Sequence, residues 1–279
     1  MNFFAALFDP AMPFVRNALV AGLLSSVLFG VLGSVVTVKR IAGLAGAISH
    51  AVLGGIGLAL YLSAKNIVPG LSPIVGALVF AIISAALIGF VSLKAKQRED
   101  TVINALWAIG MSIGIVFIAK TPGYADPMSY LFGNILLVST RDLVLLAVLD
   151  IVVIVLAWRY YPQIEASAFD AEFAKTRGVN TDVVFFVILA VTAVAIVLLQ
   201  TFVGIVMVIA MLTLPAGTAG YFSKNLAGMM VLGTVFSVAF SAAGLIVSWG
   251  LDLPSGAVVV LVAGATFLVV SALRIRRKA

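Results

Sequence analysis

Apolar blocks of roughly 17–25 residues recur along this chain, each long enough as a helix to cross about 30 Å of hydrocarbon. They fall near 14–38, 43–62, 71–93, 101–119, 141–158, 183–199, 202–219, 228–249 and 256–273. The pattern predicts an all-α, polytopic transmembrane bundle of about eight or nine membrane helices, occupying 1–279 as a single domain. Residues 183–219 are short for two full crossings, so one of that pair is expected to be broken or re-entrant.

Two connections are long enough to carry structure. In residues 120–142, "KTPGYADPMSYLFGNILLVSTRD", Pro122, Gly123 and Pro127 interrupt the preceding helix. The apolar stretch inside it, about 127–138, is too short to span and predicts a re-entrant or interfacial helix on the outer face. In residues 158–182, Pro162 ends the membrane helix, and "SAFDAEFAKTRG" follows. Ser167 is placed as N-cap there, with Asp170 and Glu172 early, Lys175 and Arg177 late, and Gly178 just past the end. Such a helix, within about 165–178, either lies on lipid headgroups or projects to a partner. Phe169 and Phe173, four residues apart among acids and bases, suit a helix-in-groove contact.

Composition sharpens the class. The chain is 63% hydrophobic and 10% charged, so its formal net charge of +6 is no nucleic-acid footprint. With nine crossings, 39–40, 94–98, 159–180, Lys224 and 274–279 share one side, which then holds 13 of the 17 Lys and Arg residues. Arg16, Lys65, Lys120 and Arg141 fall on the other. The positive-inside rule makes the first side cytoplasmic, with the N-terminus outside and the C-terminus inside. The first residues, "MNFFAALFDPAMPF", lack a basic n-region and a cleavage pattern and read as a short amphipathic outer segment. With no cysteine there is no disulfide or thiolate site.

Polar groups at membrane depth are costly and point to function. His50 is the chain's one histidine and sits in the second span, with Gly46 and Gly54 one turn away on either side. It either hydrogen-bonds a neighbouring helix or lines a path and touches a cation in transit. Asp150 lies near the middle of the fifth span and must face a cavity, find a partner or hold a proton. Asn104, Gln200 and Thr213 are milder cases, expected to be satisfied by helix–helix hydrogen bonds. Pro215, in "MLTLPAGTAG", ends or breaks a span. The G-x-x-x-G spacing of "GMSIG" and the small residues of 43–59 indicate close helix packing. The chain has no P-loop sequence, and one histidine without cysteine excludes a conventional His/Cys zinc site, so catalysis by this subunit alone is not expected.

"GAISHAVLGGIGLAL" (46–60), "QREDTVINALWAIGMSIGI" (97–115), "DPMSYLFGNILLVSTRDL" (126–143), "SAFDAEFAKTRGV" (167–179) and "GIVMVIAMLTLPAGTAGYFS" (204–223) occur in this order. Together they resemble the membrane-permease subunits of bacterial metal-ion ABC importers, of the zinc, manganese and iron type. The resemblance implies a plasma-membrane homodimer, with cytoplasmic ATPase subunits and an extracytoplasmic solute-binding protein as partners. The subunit would bind no cofactor of its own, and a divalent metal would be its substrate. It also implies that Phe169, Asp170, Glu172, Phe173, Lys175, Arg177 and Gly178 belong to the ATPase-coupling segment, and that His50 is a metal contact with Gly46, Ser49, Gly54 and Pro215 along the path. Family members carry Asp four residues before the histidine; Gly46 stands there in this chain. Asp150 is the candidate substitute charge. Alternatives are an importer for a chelated metal or small solute on the same scaffold, or an ion-coupled secondary transporter using Asp150.

Overall fold

The computed structural model describes residues 3–94, 99–123, 131, 133, 135 and 138–276; for 99, 100, 275 and 276 it gives the backbone alone. The helices in chain order are α1 (Phe3–Phe8), α2 (Pro13–Val38), α3 (Ala42–Ala64), α4 (Pro73–Lys94), α5 (Glu99–Lys120) and α6 (Thr140–Arg159). Then come α7 (Tyr161–Phe169), α8 (Ala171–Thr176), α9 (Thr181–Val203), α10 (Ile205–Gly220), α11 (Leu226–Leu251) and α12 (Ser255–Arg276). Each of the nine apolar blocks is a helix, and no strand occurs among the described residues. Seven helices (α2–α5, α9, α11 and α12) are long and apolar enough to cross a membrane by themselves. The short helix expected over about 127–138 falls almost wholly outside the described residues.

Local chemistry sets the helix starts. Pro13 opens α2, where a missing N–H costs nothing. Ser139 and Asp142 cap α6 reciprocally, while Asn180 and Asn225 side chains accept from the Val183 and Gly228 amides to start α9 and α11. Between α9 and α10 the chain turns on Gly204 alone, at φ 80° and ψ 161°, a backbone region that only glycine adopts without strain. The expectation of a broken or re-entrant span in the 183–219 region is not met: both helices are continuous, and Gly204 is the joint between them. It leaves α9 with 23 residues and α10 with 16, about 24 Å of helix.

Contacts between helix ends sort them into two sets. At one end Asn17 Nδ2 donates to the Val138 carbonyl at 3.4 Å, the Phe3 and Trp249 rings meet at 6.3 Å, and Gly133 lies against the Gly204 backbone. At the other end Lys39 meets Ser167 at 3.0 Å, Ala227 meets Tyr161 at 3.1 Å and Tyr221 meets Ser271 at 2.9 Å. Short as it is, α10 thus runs from one end of the bundle to the other. The second end gathers Lys39, Arg40, Arg159, Lys175, Arg177, Lys224 and Arg274, as the loop alternation requires.

The core is built on α2, which packs on α11, α10 and α6; α3 packs on α5 and α4. Close approach is made by small residues. A Cβ on Gly55 would fall on the Gly76 carbonyl, and one on Gly33 would lie 2.5 Å from the Leu212 carbonyl oxygen.

The segment after α6 differs from the expectation. Helix α6 ends at Arg159, the chain bends by 71°, and α7 begins with Pro162 in its first turn. The N-cap of the following helix is Asp170, whose Oδ1 accepts from the Phe173 amide at 2.9 Å, and not Ser167. Ser167 is buried near the end of α7, its hydroxyl donating back to the Ile164 carbonyl at 3.0 Å. The single helix expected over 165–178 is therefore two, α7 and α8, because the Asp170 backbone is extended at φ −150° and interrupts the helix. Gly178 stands past the end as expected, at φ 81°, and its amide and that of Val179 close the last turn onto Lys175 and Ala174.

Candidate functional site

The second span presents His50 on a face with room beside it. At Gly46, one turn toward the start of α3, an added Cβ would meet nothing within 4 Å, and the same holds at Gly43. Residues 43, 46 and 50 follow helical i, i+3, i+7 spacing, so the open strip runs from His50 toward the end of the bundle that carries the α7–α8 elbow. The imidazole is half-buried, and its Nδ1 is fully covered with no hydrogen-bond partner. Its ring packs on Trp107 of α5 at 5.0 Å between centroids and 39° between planes. The bland account of His50, a hydrogen bond to a neighbouring helix, is not what Nδ1 makes.

The other residues expected along this path sit differently. Ser49 is fully buried and its hydroxyl donates to the Ala45 carbonyl at 2.9 Å. Gly54 is a packing position: a Cβ there would come within 2.8 Å of the Gly110 carbonyl oxygen and 3.0 Å of the Phe80 ring. Pro215 is buried inside α10.

Asp150 is 5% exposed and neither carboxylate oxygen has a partner. Its helix packs on α2, whereas α3 packs on α5 and α4, so His50 and Asp150 are seated on different packing faces. Among the described residues no three His, Asp or Glu side chains gather as a metal cluster. One turn beyond Asp150, Val153 lines an apolar cleft of about 360 Å³ between α2, α6, α7 and α9. Two milder expectations are corrected. Gln200 is buried with both amide atoms unpartnered, and Thr213 bonds its own helix, at the Ile209 and Ala210 carbonyls, not a neighbour.

The elbow is an exposed platform. Phe169 is 67% and Phe173 55% exposed, with Arg177 over the Phe173 ring at 5.3 Å. Glu172 lies in the first turn of α8, and Lys175 pairs with Asp182 at 3.3 Å, tying α8 to the start of α9. Sequence reasoning missed Trp107, Lys39 and Tyr161. Trp107 lies in a stretch already singled out, and its place on His50 follows from the α3–α5 register that Gly54/Gly110 and Gly57/Gly114 set. Lys39 and Tyr161 gave no signal, because the groups that tie them to other helices, Ser167 and the Ala227 amide, are distant in sequence.

The family model of the ABC 3 transport family matches residues 11–274. The chain belongs to the ABC 3 transport family. An uncharacterized membrane protein of Synechocystis, slr2045, is 38% identical over 94% of this chain and 91% of the relative. The manganese transport system membrane protein MntC of Listeria monocytogenes is 34% identical over 92% of this chain and 89% of its own. Among solved structures, PsaBC from Streptococcus pneumoniae in complex with Fab superposes with a TM-score of 0.84 at 26% identity, over 96% of this chain and 94% of that one. As an ABC 3 member, the protein is a metal-importer permease embedded in a membrane, and its helical fold is that of the PsaBC chain. Membership also displaces the secondary-transporter alternative.

Proposed function

We propose that this permease moves a divalent metal cation, manganese, zinc or iron, received from an extracytoplasmic solute-binding protein and driven by ATP hydrolysis in separate cytoplasmic ATPase subunits. It would work as a homodimer in a bacterial plasma membrane, holding no cofactor of its own. Manganese is the ion in the name of the Listeria relative. The observation that carries the reading is the imidazole of His50, half-buried at membrane depth with no hydrogen-bond partner at Nδ1, one helical turn from the open position at Gly46. A neutral imidazole is a ready ligand for such ions, and a lone one binds weakly enough to release its cargo. The basic end of the bundle, with the α7–α8 elbow, is the cytoplasmic end by the positive-inside rule. Phe169 and Phe173, framed by Asp170, Glu172, Lys175, Arg177 and Gly178, form the face the ATPase would grip.

The test is uptake of radioactive manganese, zinc or iron by proteoliposomes holding the permease with its ATPase and solute-binding protein. Uptake that needs ATP and all three proteins supports the reading; uptake without the ATPase sinks it. The missing carboxylate at Gly46 favours a second reading, a chelated metal as cargo, which the same assay separates by offering the free ion and a chelate in parallel. Asp150 is not read as a co-ligand of His50, since the two occupy different packing faces. Asp150→Asn, an isosteric change that keeps the packing, is expected to lower uptake less than about threefold while His50→Ala lowers it far more. Equal losses in the two variants would restore Asp150 to the metal path.

A further inference from the structure

Helix α7 is nine residues long, too short to be stable alone, and both of its ends are tied to other helices by groups those helices leave unpaired. At its C-terminal end the Lys39 ammonium, one residue past α2, donates to the Ser167 carbonyl at 3.0 Å and to the Ser167 hydroxyl at 3.3 Å. A cation on a last-turn carbonyl meets the negative end of the helix dipole. Burial lowers the Lys39 pKa, so the contact is made by a partly desolvated charge, where a hydrogen bond is strong. At the N-terminal end the Tyr161 hydroxyl donates to Glu165 Oε1 at 2.7 Å and accepts from the Ala227 amide at 3.1 Å. Ala227 is the second residue of α11, where a backbone N–H has no partner within its own helix. The helices joined this way, α2 and α11, are packed on each other along their lengths.

We propose that Lys39 and Tyr161 are positioning residues of the transport cycle, bracing α7 against the ends of α2 and α11 so that displacement of the elbow moves both core helices together. The inference rests on the reading of the elbow as the seat of the ATPase. A surface helix without such ties would swing on the single-residue joint at Tyr160 and dissipate the motion. With both ends fixed it acts as a strut. The exposed Phe169 and Phe173 receive the push, while the buried Ser167 and half-buried Tyr161 deliver it to the core.

The experiment uses the full chain with its ATPase and solute-binding protein in proteoliposomes, reading manganese uptake and phosphate release together. Lys39→Met and Tyr161→Phe are expected to keep the ATPase bound and hydrolysing, while metal moved per ATP falls by about tenfold for Lys39→Met, the scale of losing a hydrogen bond to a charged group. Lys39→Arg, which retains charge and donors, is expected to restore most of the ratio. A merely structural role would lower both readouts together and leave their ratio at the parent value; that outcome, in Tyr161→Phe alone if Lys39→Met does not accumulate, overturns the strut. A parent chain that never retains an ATPase overturns the elbow reading instead, and is told apart because no variant is needed to see it.

Discussion

Gly55→Val is expected to prevent accumulation of folded permease, whereas Gly46→Ala, nine residues away on the same helix, is expected to be harmless or mildly stabilising. Helix α3 lies between α4 and α5, and the crossing with α4 is made where Gly55 and Gly76 face each other, each without a side chain. A Cβ on Gly55 would fall on the Gly76 carbonyl and come within 2.9 Å of the Phe80 Cβ. Backbone cannot rotate out of the way as a side-chain tip can, so the helices would have to part. Overpacking costs about 1–3 kcal/mol where side chains can adjust, and here the upper end or more is expected. Parting α3 from α4 also opens the seam with α5, since both seams are made within about one turn of α3, at Gly54, Gly55 and Gly57. At Gly46 nothing stands within 4 Å, so alanine adds only helix propensity, worth roughly 0.4–1 kcal/mol through the unfolded chain. Size-exclusion profiles and melting midpoints in detergent decide it. A Gly55→Val protein that elutes and melts like the parent would mean that this crossing is looser than its geometry.

These glycines mark where sequence reading reached and where it stopped. The nine helices were legible because a membrane helix announces itself by length and apolarity alone, without reference to its neighbours. The shortage of residues in 183–219 was legible but pointed to a broken or re-entrant span, whereas a one-residue joint at Gly204, in a conformation only glycine supplies, lets two continuous helices fit. Small residues in 43–59 announced close packing, but their partners did not follow from the chain. Gly46 and Gly54 look alike in sequence, four residues to either side of His50, and one faces open space while the other is pressed on Gly110. Ser167 carried a sound capping signal, yet Asp170 won, because a carboxylate three residues before the Phe173 amide makes the stronger acceptor and α7 continues through Ser167 from Pro162. Likewise Asp150 and His50 are both polar residues at membrane depth, and only the packing of α6 on α2 separates them. What a residue is was readable; which helix it faces is a property of the assembled bundle.

That distinction also sets the sharpest expectation about the site. His50→Ala is expected to reduce metal uptake by at least about tenfold, since even outer-shell partners of a metal ligand are worth 10–100-fold in affinity or activity. Gly46→Asp is expected to do the opposite to binding and the same to transport. The position is open, it lies one turn from the imidazole on the same face, and a carboxylate there can share an ion with His50. Affinity of the purified permease for manganese should rise by about tenfold, the worth of one well-placed charged ligand. A cation held by two ligands leaves more slowly than one held by a single imidazole, so turnover should fall as binding tightens. Trp107 supplies the readout for the first part. Its ring is 5.0 Å from His50, so bound manganese, being paramagnetic, should quench its fluorescence, and Trp107→Phe should remove that signal among the three tryptophans of the chain. If Gly46→Asp binds manganese no better than the parent while remaining folded, the open strip beside His50 is not where the ion passes. If it binds better and also transports faster, weak coordination is not what the parent gains from glycine, and the empty position must be explained by the bulk of its cargo.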